Sequence, residues 1–254
     1  MKNNMKTTDW DNVAQWYDTY LQGEDTYQQK VIAPNLLRML DIKIGDRVLD
    51  VACGQGYFAA QCARAGATVI GVDQSAALIA LARHHESKAE QYVVGDAQKL
   101  GALGLKPVDM AFTVLAFENI KNIAAVLEGM HSVLKKQGRV VVVMLHPAFR
   151  IPKASDWNFN TKTGTQSRTV EKYLSEIAIP IELNPFQGGP KEITYTFHRS
   201  LQWYMKACKK AGFVLTSLEE WISHKKSEAG PRQAAEDSAR KEIPMFLAIE
   251  LRKS

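Results

Sequence analysis

A glycine turn between a predicted strand and a predicted helix constrains this chain more than any other feature. Residues 48–51 form a short apolar run interrupted by Asp50, and Gly54 and Gly56 follow it before a helical stretch from Tyr57. Glycine lets a ligand approach bare backbone, and the N-terminus of the next helix offers unpaired N–H groups. The pattern therefore predicts a ligand site, and the alternative is a tight turn that binds nothing.

The carboxylate of Asp50 at the rim of this turn indicates what kind of ligand fits. An acidic side chain suits a cationic or hydroxyl-rich ligand better than a pyrophosphate. The stretch from Gly54 to Ala59 nevertheless also matches the G-x-G-x-x-G/A pattern of dinucleotide-binding proteins. A nicotinamide dinucleotide enzyme is therefore the rival interpretation of the turn.

Strand and helix patterns alternate from Arg47 onward. Strands are predicted at 47–51, 68–72, 91–94, 108–115 and 139–145, and helices at 57–65, 75–86 and 121–135. The strands are continuous apolar runs, as a parallel sheet covered on both faces requires. Right-handed crossovers then predict an α/β fold with a doubly wound sheet, in which ligands bind beyond the C-terminal ends of the strands.

Three carboxylates fall at the ends of three successive predicted strands. Asp50 ends the first strand, Asp73 ends the second, and Asp96 follows the third. A doubly wound sheet brings those ends to one edge. Each aspartate alone could be an ordinary loop or cap residue, but three of them beside the glycine turn predict one shared site.

Together these motifs resemble those of the class I S-adenosylmethionine-dependent methyltransferases, of the type that acts on small molecules. The resemblance covers about residues 40–145. It implies a Rossmann-like, mostly parallel sheet of seven strands, whose antiparallel last strand would be residues 245–251. It also implies S-adenosylmethionine as the cofactor and methyl transfer as the reaction.

The resemblance assigns cofactor-binding roles to residues at the ends of the first four strands. Asp73 would hold the two ribose hydroxyls, Asp96 would accept from the adenine amine, and Asp50 would offset the positive charge of the methionyl end. The other cofactor-binding positions that it implies are Ala52, Gly54, Gly56, Gln74, Ala97 and Val114.

The candidate catalytic residue is His146, which follows the fifth predicted strand at the edge where the acceptor should lie. Its typical pKa of about 6.5 would let it accept a proton from a phenol or an amine. Alternatively, His146 and Pro147 only turn the chain. Because methyl transfer depends mainly on proximity, alignment and the exclusion of water, activity does not require a base. The candidate substrate-binding residues are Tyr17, Tyr20, Glu118 and His198.

We expect one methyltransferase domain over residues 1–254, with a helical cap over 1–40 and a substrate-covering insertion over 147–196. The insertion holds aromatic residues, in which disordered linkers are poor, so we expect it to be ordered. Those aromatics suit a flat or partly apolar small molecule. An open cavity between His146, Tyr17 and the insertion is the arrangement that catalysis predicts.

The amino-acid composition limits the binding partners and the cellular location that we expect for this chain. An odd number of cysteines, three, without metal-ligand spacing fits a reducing cytoplasm, and no 18-residue apolar stretch or signal-peptide core is present. The net charge of +5 comes from 17 basic and 12 acidic residues after position 145, without a Lys/Arg run, so nucleic acid is an unlikely partner. We expect a small-molecule methyl acceptor and no membrane. An RNA methyltransferase and an inactive cofactor-binding partner protein are the alternatives, and the oligomeric state stays open.

Overall fold

A sheet of seven strands forms the centre of the computed structural model, which describes residues 10–21, 23–182 and 193–254. Five of its strands are parallel and alternate with helices along the chain. They are β1 (Arg47–Val51), β2 (Thr68–Asp73), β3 (Glu90–Val94), β4 (Val108–Val114) and β5 (Leu134–Leu145). Strand β1 pairs with β2 on one side and with β4 on the other, so the ends of these strands share one edge.

Helices cover both faces of this sheet, as the apolar strands require. The α-helices are α1 (Ala14–Leu21), α2 (Ala33–Leu40), α3 (Tyr57–Arg64), α4 (Ala76–His84), α5 (Ile123–Val133), α6 (Leu201–Lys210) and α7 (Gln233–Glu242). Leu49 of β1 packs in a core with residues of α5 and α6, whereas its neighbour Val48 packs with residues of α2 and α3. None of the helices in the described ranges is long and apolar enough to cross a membrane.

The chain between β5 and α6 forms two β-hairpins. Strand β6 (Ser155–Asn160) pairs with β7 (Thr165–Val170), and β8 (Ile177–Glu182) pairs with β9 (Ile193–His198), both antiparallel. Residues 183–192 lie outside the described part of the chain. The sequence analysis predicted order here but no strands, because β6 and β7 are mostly polar and carry no run of buried apolar residues.

The last two strands complete the sheet in the order β10-β11-β5-β4-β1-β2-β3, with β10 (Phe213–Trp221) at the edge and β11 (Phe246–Lys253) beside it. Strand β11 lies antiparallel between β5 and β10. The predicted doubly wound, mostly parallel sheet with an inserted antiparallel last strand is therefore confirmed.

The N-terminal segment is attached to the start of α4. A 3₁₀ turn, Asp11–Val13, leads into α1. The carboxylate of Asp11 accepts a hydrogen bond from the backbone N–H of Ala77 at 3.1 Å and another from the hydroxyl of Ser75, which itself caps α4. These bonds hold α1 near the C-terminal edge of the sheet.

Gly71→Ala tests the packing beneath the glycine turn. A Cβ on Gly71, in the middle of β2, would lie 2.6 Å from the ring of Tyr92 and 2.9 Å from the sulfur of Cys53. We expect the free energy of unfolding, measured with urea, to fall by about 1–3 kcal/mol because the core is overpacked. Gly230→Ala is the control, since nothing lies within 4 Å of its Cβ position. Equal stability of the two variants would contradict this packing.

Candidate functional site

A cavity of about 300 Å³ opens at the edge where β1, β2 and β4 end. Helix α1 and strand β9 contribute to its walls, so both the N-terminal segment and the insertion reach it. Eight of the nine predicted cofactor-binding residues line it: Asp50, Ala52, Gly54, Asp73, Gln74, Asp96, Ala97 and Val114.

The carboxylate of Asp73 joins two loops that form the floor of the cavity. One oxygen accepts the backbone N–H of Gly54 at 2.9 Å, and the other accepts that of Ser75 at 2.9 Å. Burial raises the pKa of this carboxyl, although these backbone hydrogen bonds oppose the shift. Each oxygen keeps a further lone pair, so the group can still accept two hydroxyl donors from a ligand.

The side chain of Asp50 is almost completely buried beside Asp73. Only 2% of Asp50 is exposed, and its Oδ2 atom has no hydrogen-bond partner among the described residues. Burial, with the nearby charge of Asp73, raises its pKa well above the ordinary value. A buried carboxylate oxygen without a partner is costly, so this end of the cavity favours a ligand that carries positive charge or donates hydrogen bonds.

Several residues in and near the glycine turn have a left-handed backbone conformation. Gly54 and Gly56 have φ angles of 55° and 83°, and Gly56 is the N-cap of α3. Gly56 does not line the cavity; a Cβ there would collide with the Tyr92 ring, so this glycine is required by packing. Ala52 and Leu115 also have positive φ, 60° and 52°, and both line the cavity. Such strained non-glycine residues are typical of binding sites.

Asp96 lies at the adenine end that the resemblance implies. Its Oδ1 atom accepts the backbone N–H of Gln98 at 2.9 Å and caps the 3₁₀ helix Ala97–Ala102. The cap keeps the carboxylate oriented at the end of β3. Asp96 and Ala97 both line the cavity, as the sequence analysis predicted.

Tyr17 of α1 lies over the glycine turn. Its ring carbon Cε1 is 3.7 Å from where a Cβ on Gly54 would be, and its ring contacts Trp10 edge-on at 5.8 Å between centroids. Burial raises the pKa of Tyr17 to about 12, so its hydroxyl stays protonated at neutral pH. Tyr20, in contrast, does not line the cavity. It is 42% exposed and stacks on Trp16, because its position on α1 points away from the sheet edge.

His146 also lies outside the lining of the cavity, contrary to expectation. Its Nδ1 atom accepts the backbone N–H of Ala148 at 3.2 Å, and its Nε2 atom lies 2.7 Å from Oε1 of Glu220 on β10. The imidazole is therefore neutral with its proton on Nε2, and both nitrogens are occupied. Burial lowers its pKa. Its role as a base stays a prediction, one that this geometry does not favour.

Glu118 and His198 face a separate cavity of about 20 Å³ behind β9. Nε2 of His198 donates to the carbonyl oxygen of Tyr173 at 2.8 Å. Oε1 of Glu118 accepts the N–H of Leu145 at 3.4 Å, and Oε2 is buried without a hydrogen-bond partner in the described part of the chain. Burial raises the pKa of Glu118 to about 7. Neither residue lines the large cavity, whereas Phe197 of β9 lines both cavities.

The wall of the large cavity opposite the glycine turn is formed by Asn119 together with residues that the sequence analysis missed: Ile120, Lys121, Tyr195 and Phe197. Tyr195 and Phe197 lie two residues apart on β9, whereas Thr194, Thr196 and His198 between and beside them are buried on its other face. The alternation in residues 193–198 is the signal that could have identified this strand.

Arg199 connects the two elements of this wall, which are β9 and the loop after β4. Its guanidinium donates to the carbonyl oxygens of Ile120 at 3.0 Å and Lys121 at 2.6 Å, and it lies between the rings of Phe197 and Trp203. The residue is only 5% exposed. The planar fork and flat faces of arginine suit this combination of carbonyl and ring contacts. Arg199 thus fixes the loop after β4 against β9.

Known proteins resemble this chain over the same elements. The family profile described as "Methyltransferase domain" matches residues 49–142. The 2-phytyl-1,4-naphtoquinone methyltransferase of Synechocystis is 31% identical over 199 residues, which are 72% of this chain and 81% of that protein. A crystal structure of an S-adenosylmethionine-dependent methyltransferase from Mesorhizobium loti shares the fold, with a TM-score of 0.69, 24% identity, and coverage of 90% of this chain and 98% of that one.

Another curated relative is much longer than the match. The bifunctional biotin-biosynthesis protein of Cellvibrio japonicus is 29% identical over 130 residues, which are 51% of this chain. The match spans only 26% of that protein's length. The full activity and the partners of such a relative therefore do not transfer to this chain.

Glu118→Gln tests the buried carboxyl through the pH dependence of stability. The pKa in the folded protein, about 7, exceeds the ordinary value of 4.5, so the folded state binds the proton more tightly. The contribution of this carboxyl to the free energy of unfolding is fully present below pH 4.5 and is lost as the pH rises through 7. The loss is at most about 3 kcal/mol. The glutamine variant lacks this loss, and so we expect it to gain stability relative to the parent between pH 5 and 8 in urea unfolding.

The control for this comparison is Glu228→Gln, at an exposed position outside the lining of either cavity. Its stability should follow that of the parent at every pH. If the stability of Glu118→Gln showed the same pH dependence as that of the parent, this result would contradict the raised pKa of the buried carboxyl.

Proposed function

This chain belongs to the class I S-adenosylmethionine-dependent methyltransferases, and we propose that it methylates a small aromatic or partly apolar molecule on oxygen or nitrogen. The observation that carries the proposal is one cavity in which three strand-end carboxylates and the glycine turn meet an aromatic wall from the insertion. The first group of residues suits the cofactor, and the second suits an apolar acceptor.

The residues of the glycine turn fit S-adenosylmethionine. Its ammonium and sulfonium would relieve the unpartnered Oδ2 of Asp50. Its ribose diol matches the two remaining lone pairs of Asp73. A pyrophosphate would instead lie against buried carboxylates that repel it, which argues against the nicotinamide dinucleotide interpretation. When bound, this cofactor supplies a methyl group that the sulfonium has activated for displacement.

The contribution of the protein is then mainly alignment and exclusion of water. Tyr17 and Trp10 cover the glycine turn, and the segment that carries them is fastened to α4 through Asp11. Holding two reactants in line can supply about 7–11 kcal/mol of the barrier, so no catalytic base has to be present. The position of these two side chains in the cavity wall supports this mode of catalysis.

An aromatic acceptor is supported by the wall opposite the cofactor residues. Tyr195 and Phe197 offer half-buried rings to the cavity, and Ile120 adds an apolar side chain. Flat aromatic molecules pack well against such rings. The Synechocystis relative is named for a naphtoquinone, which is a flat bicyclic ring. These observations favour a ring compound over RNA, whose backbone would need a grouped basic surface.

Asp73→Ala tests the cofactor site. The substitution removes the ribose partner and two backbone hydrogen bonds of the turn. We expect the Kd for S-adenosylmethionine, measured by calorimetry, to rise by about 10- to 100-fold, since hydrogen bonds to charged groups are lost.

Asp156→Ala, on the hairpin strand β6 and outside the cavity lining, should bind the cofactor as the parent does. Methyl transfer is then assayed with tritiated cofactor on phenols, amines and an RNA oligonucleotide. Failure of the parent protein to bind the cofactor would overturn the proposed function, and transfer to RNA alone would favour the nucleic-acid alternative.

A further inference from the structure

We propose, on the basis of the methyl transfer described above, that the acceptor binds as an oxygen anion, an ionised phenol or enol, with Lys121 as its counter-charge. This inference narrows the substrate from a general aromatic molecule to an acidic hydroxyl compound. It rests on which titratable groups line the acceptor side of the cavity and on how that side is built.

The acceptor side of the cavity is the wall formed by β9 and the loop after β4. Among its described residues, Tyr195 carries a phenol, Lys121 an amino group and Asn119 an amide, and none carries an imidazole or a carboxylate. The described lining of the cavity contains no histidine, since His146 and His198 both lie outside it. Tyr17 keeps its proton, because its pKa is raised to about 12. Asn119 carries an amide, which does not act as a base. A hydroxyl acceptor therefore has to arrive ionised.

The carboxylates in the cavity belong to its other end. Asp73 is held by two backbone N–H groups of the cofactor loops, and Asp96 is held as a helix cap. Asp50 is buried on β1, with 2% of its surface exposed. All three stand on the strand ends that the cofactor occupies, whereas the acceptor wall comes from β9 and the loop after β4.

Lys121 supplies positive charge at this acceptor wall. It is the single lysine or arginine in the described lining of the cavity, and it is exposed to solvent at the edge of that lining. Its carbonyl oxygen is fixed by Arg199 at 2.6 Å, so the backbone from which the side chain extends is held in place. Arg199 itself is buried and occupied by carbonyls and rings, and so it does not compete for the anion.

Charge balance supports an anion in this position. The acceptor oxygen forms a bond to the methyl carbon, the carbon–sulfur bond breaks, and its electron pair stays on sulfur. An anion and a sulfonium become two groups without net charge, and no proton moves in the step. The attraction between the two charges becomes stronger as bound reactants displace water from the cavity, and a desolvated anion is a better nucleophile.

Three probes with the same bicyclic ring system test the inference: 2-hydroxy-1,4-naphthoquinone, an acidic enol; 1-naphthol, a weak acid; and 1-naphthylamine, which forms no anion. We expect kcat/KM for the enol to be the highest and independent of pH near neutrality. For 1-naphthol, kcat/KM should rise with pH toward the pKa of the naphthol itself. A rise in kcat/KM for 1-naphthol that levels off well below the pKa of the naphthol would reveal a base on the enzyme and overturn the inference.

Lys121→Met provides the second measurement. We expect KM for the enol to rise about tenfold, since a hydrogen bond to a charged group is lost, with an unchanged Kd for S-adenosylmethionine. Lys106→Met, at an exposed position outside the cavity lining, is the matched control and should behave as the parent. An unchanged KM in Lys121→Met would contradict the role of the lysine.

The outcomes separate this inference from the proposed function. A protein that binds the cofactor and methylates the amine best, or none of the three probes, would overturn the anionic acceptor and leave the proposed methyltransferase function standing. A protein that does not bind the cofactor would overturn both.

Discussion

The two backbone hydrogen bonds accepted by the carboxylate of Asp73 connect most of what the site needs. They join the glycine turn at Gly54 to the start of α4 at Ser75. Ser75 in turn bonds to Asp11, which places the N-terminal segment with Tyr17 over the cavity. One carboxylate thereby orients the floor of the site directly and its cover indirectly. Its own position follows from the parallel pairing of β2 with β1.

Burial of the carboxylates of Asp50 and Asp73 at this turn destabilises the folded protein. The pKa values of Asp50 and Asp73 are both raised, chiefly by desolvation, and the unpartnered oxygen of Asp50 adds to the cost. A bound cation would relieve it, and a ligand that binds only the folded state stabilises that state. Cofactor binding and stability are therefore expected to be coupled at this edge of the sheet.

The two walls of the cavity are built differently. The wall at the ends of β1 and β2 belongs to the central sheet and contains buried carboxylates. The opposite wall depends on a buried cation: Arg199 holds the loop at residues 120–121 through carbonyl oxygens and contacts the ring of Phe197 on β9. This second wall therefore depends on a contact between the insertion and a loop, and not on the sheet.

The sequence by itself determined the doubly wound sheet, and its resemblance to a known family added the antiparallel last strand and eight residues of the cavity. Apolar runs and the glycine turn are local signals, and doubly wound topology brings strand ends such as Asp50, Asp73 and Asp96 together. Only the tertiary structure decided which residues form the rest of the cavity. The nitrogens of His146 are occupied by a backbone N–H and by Glu220, 74 residues away on β10, and Tyr195 reaches the cavity through the register of a hairpin. Such partners are distant along the chain, so no local pattern specifies them.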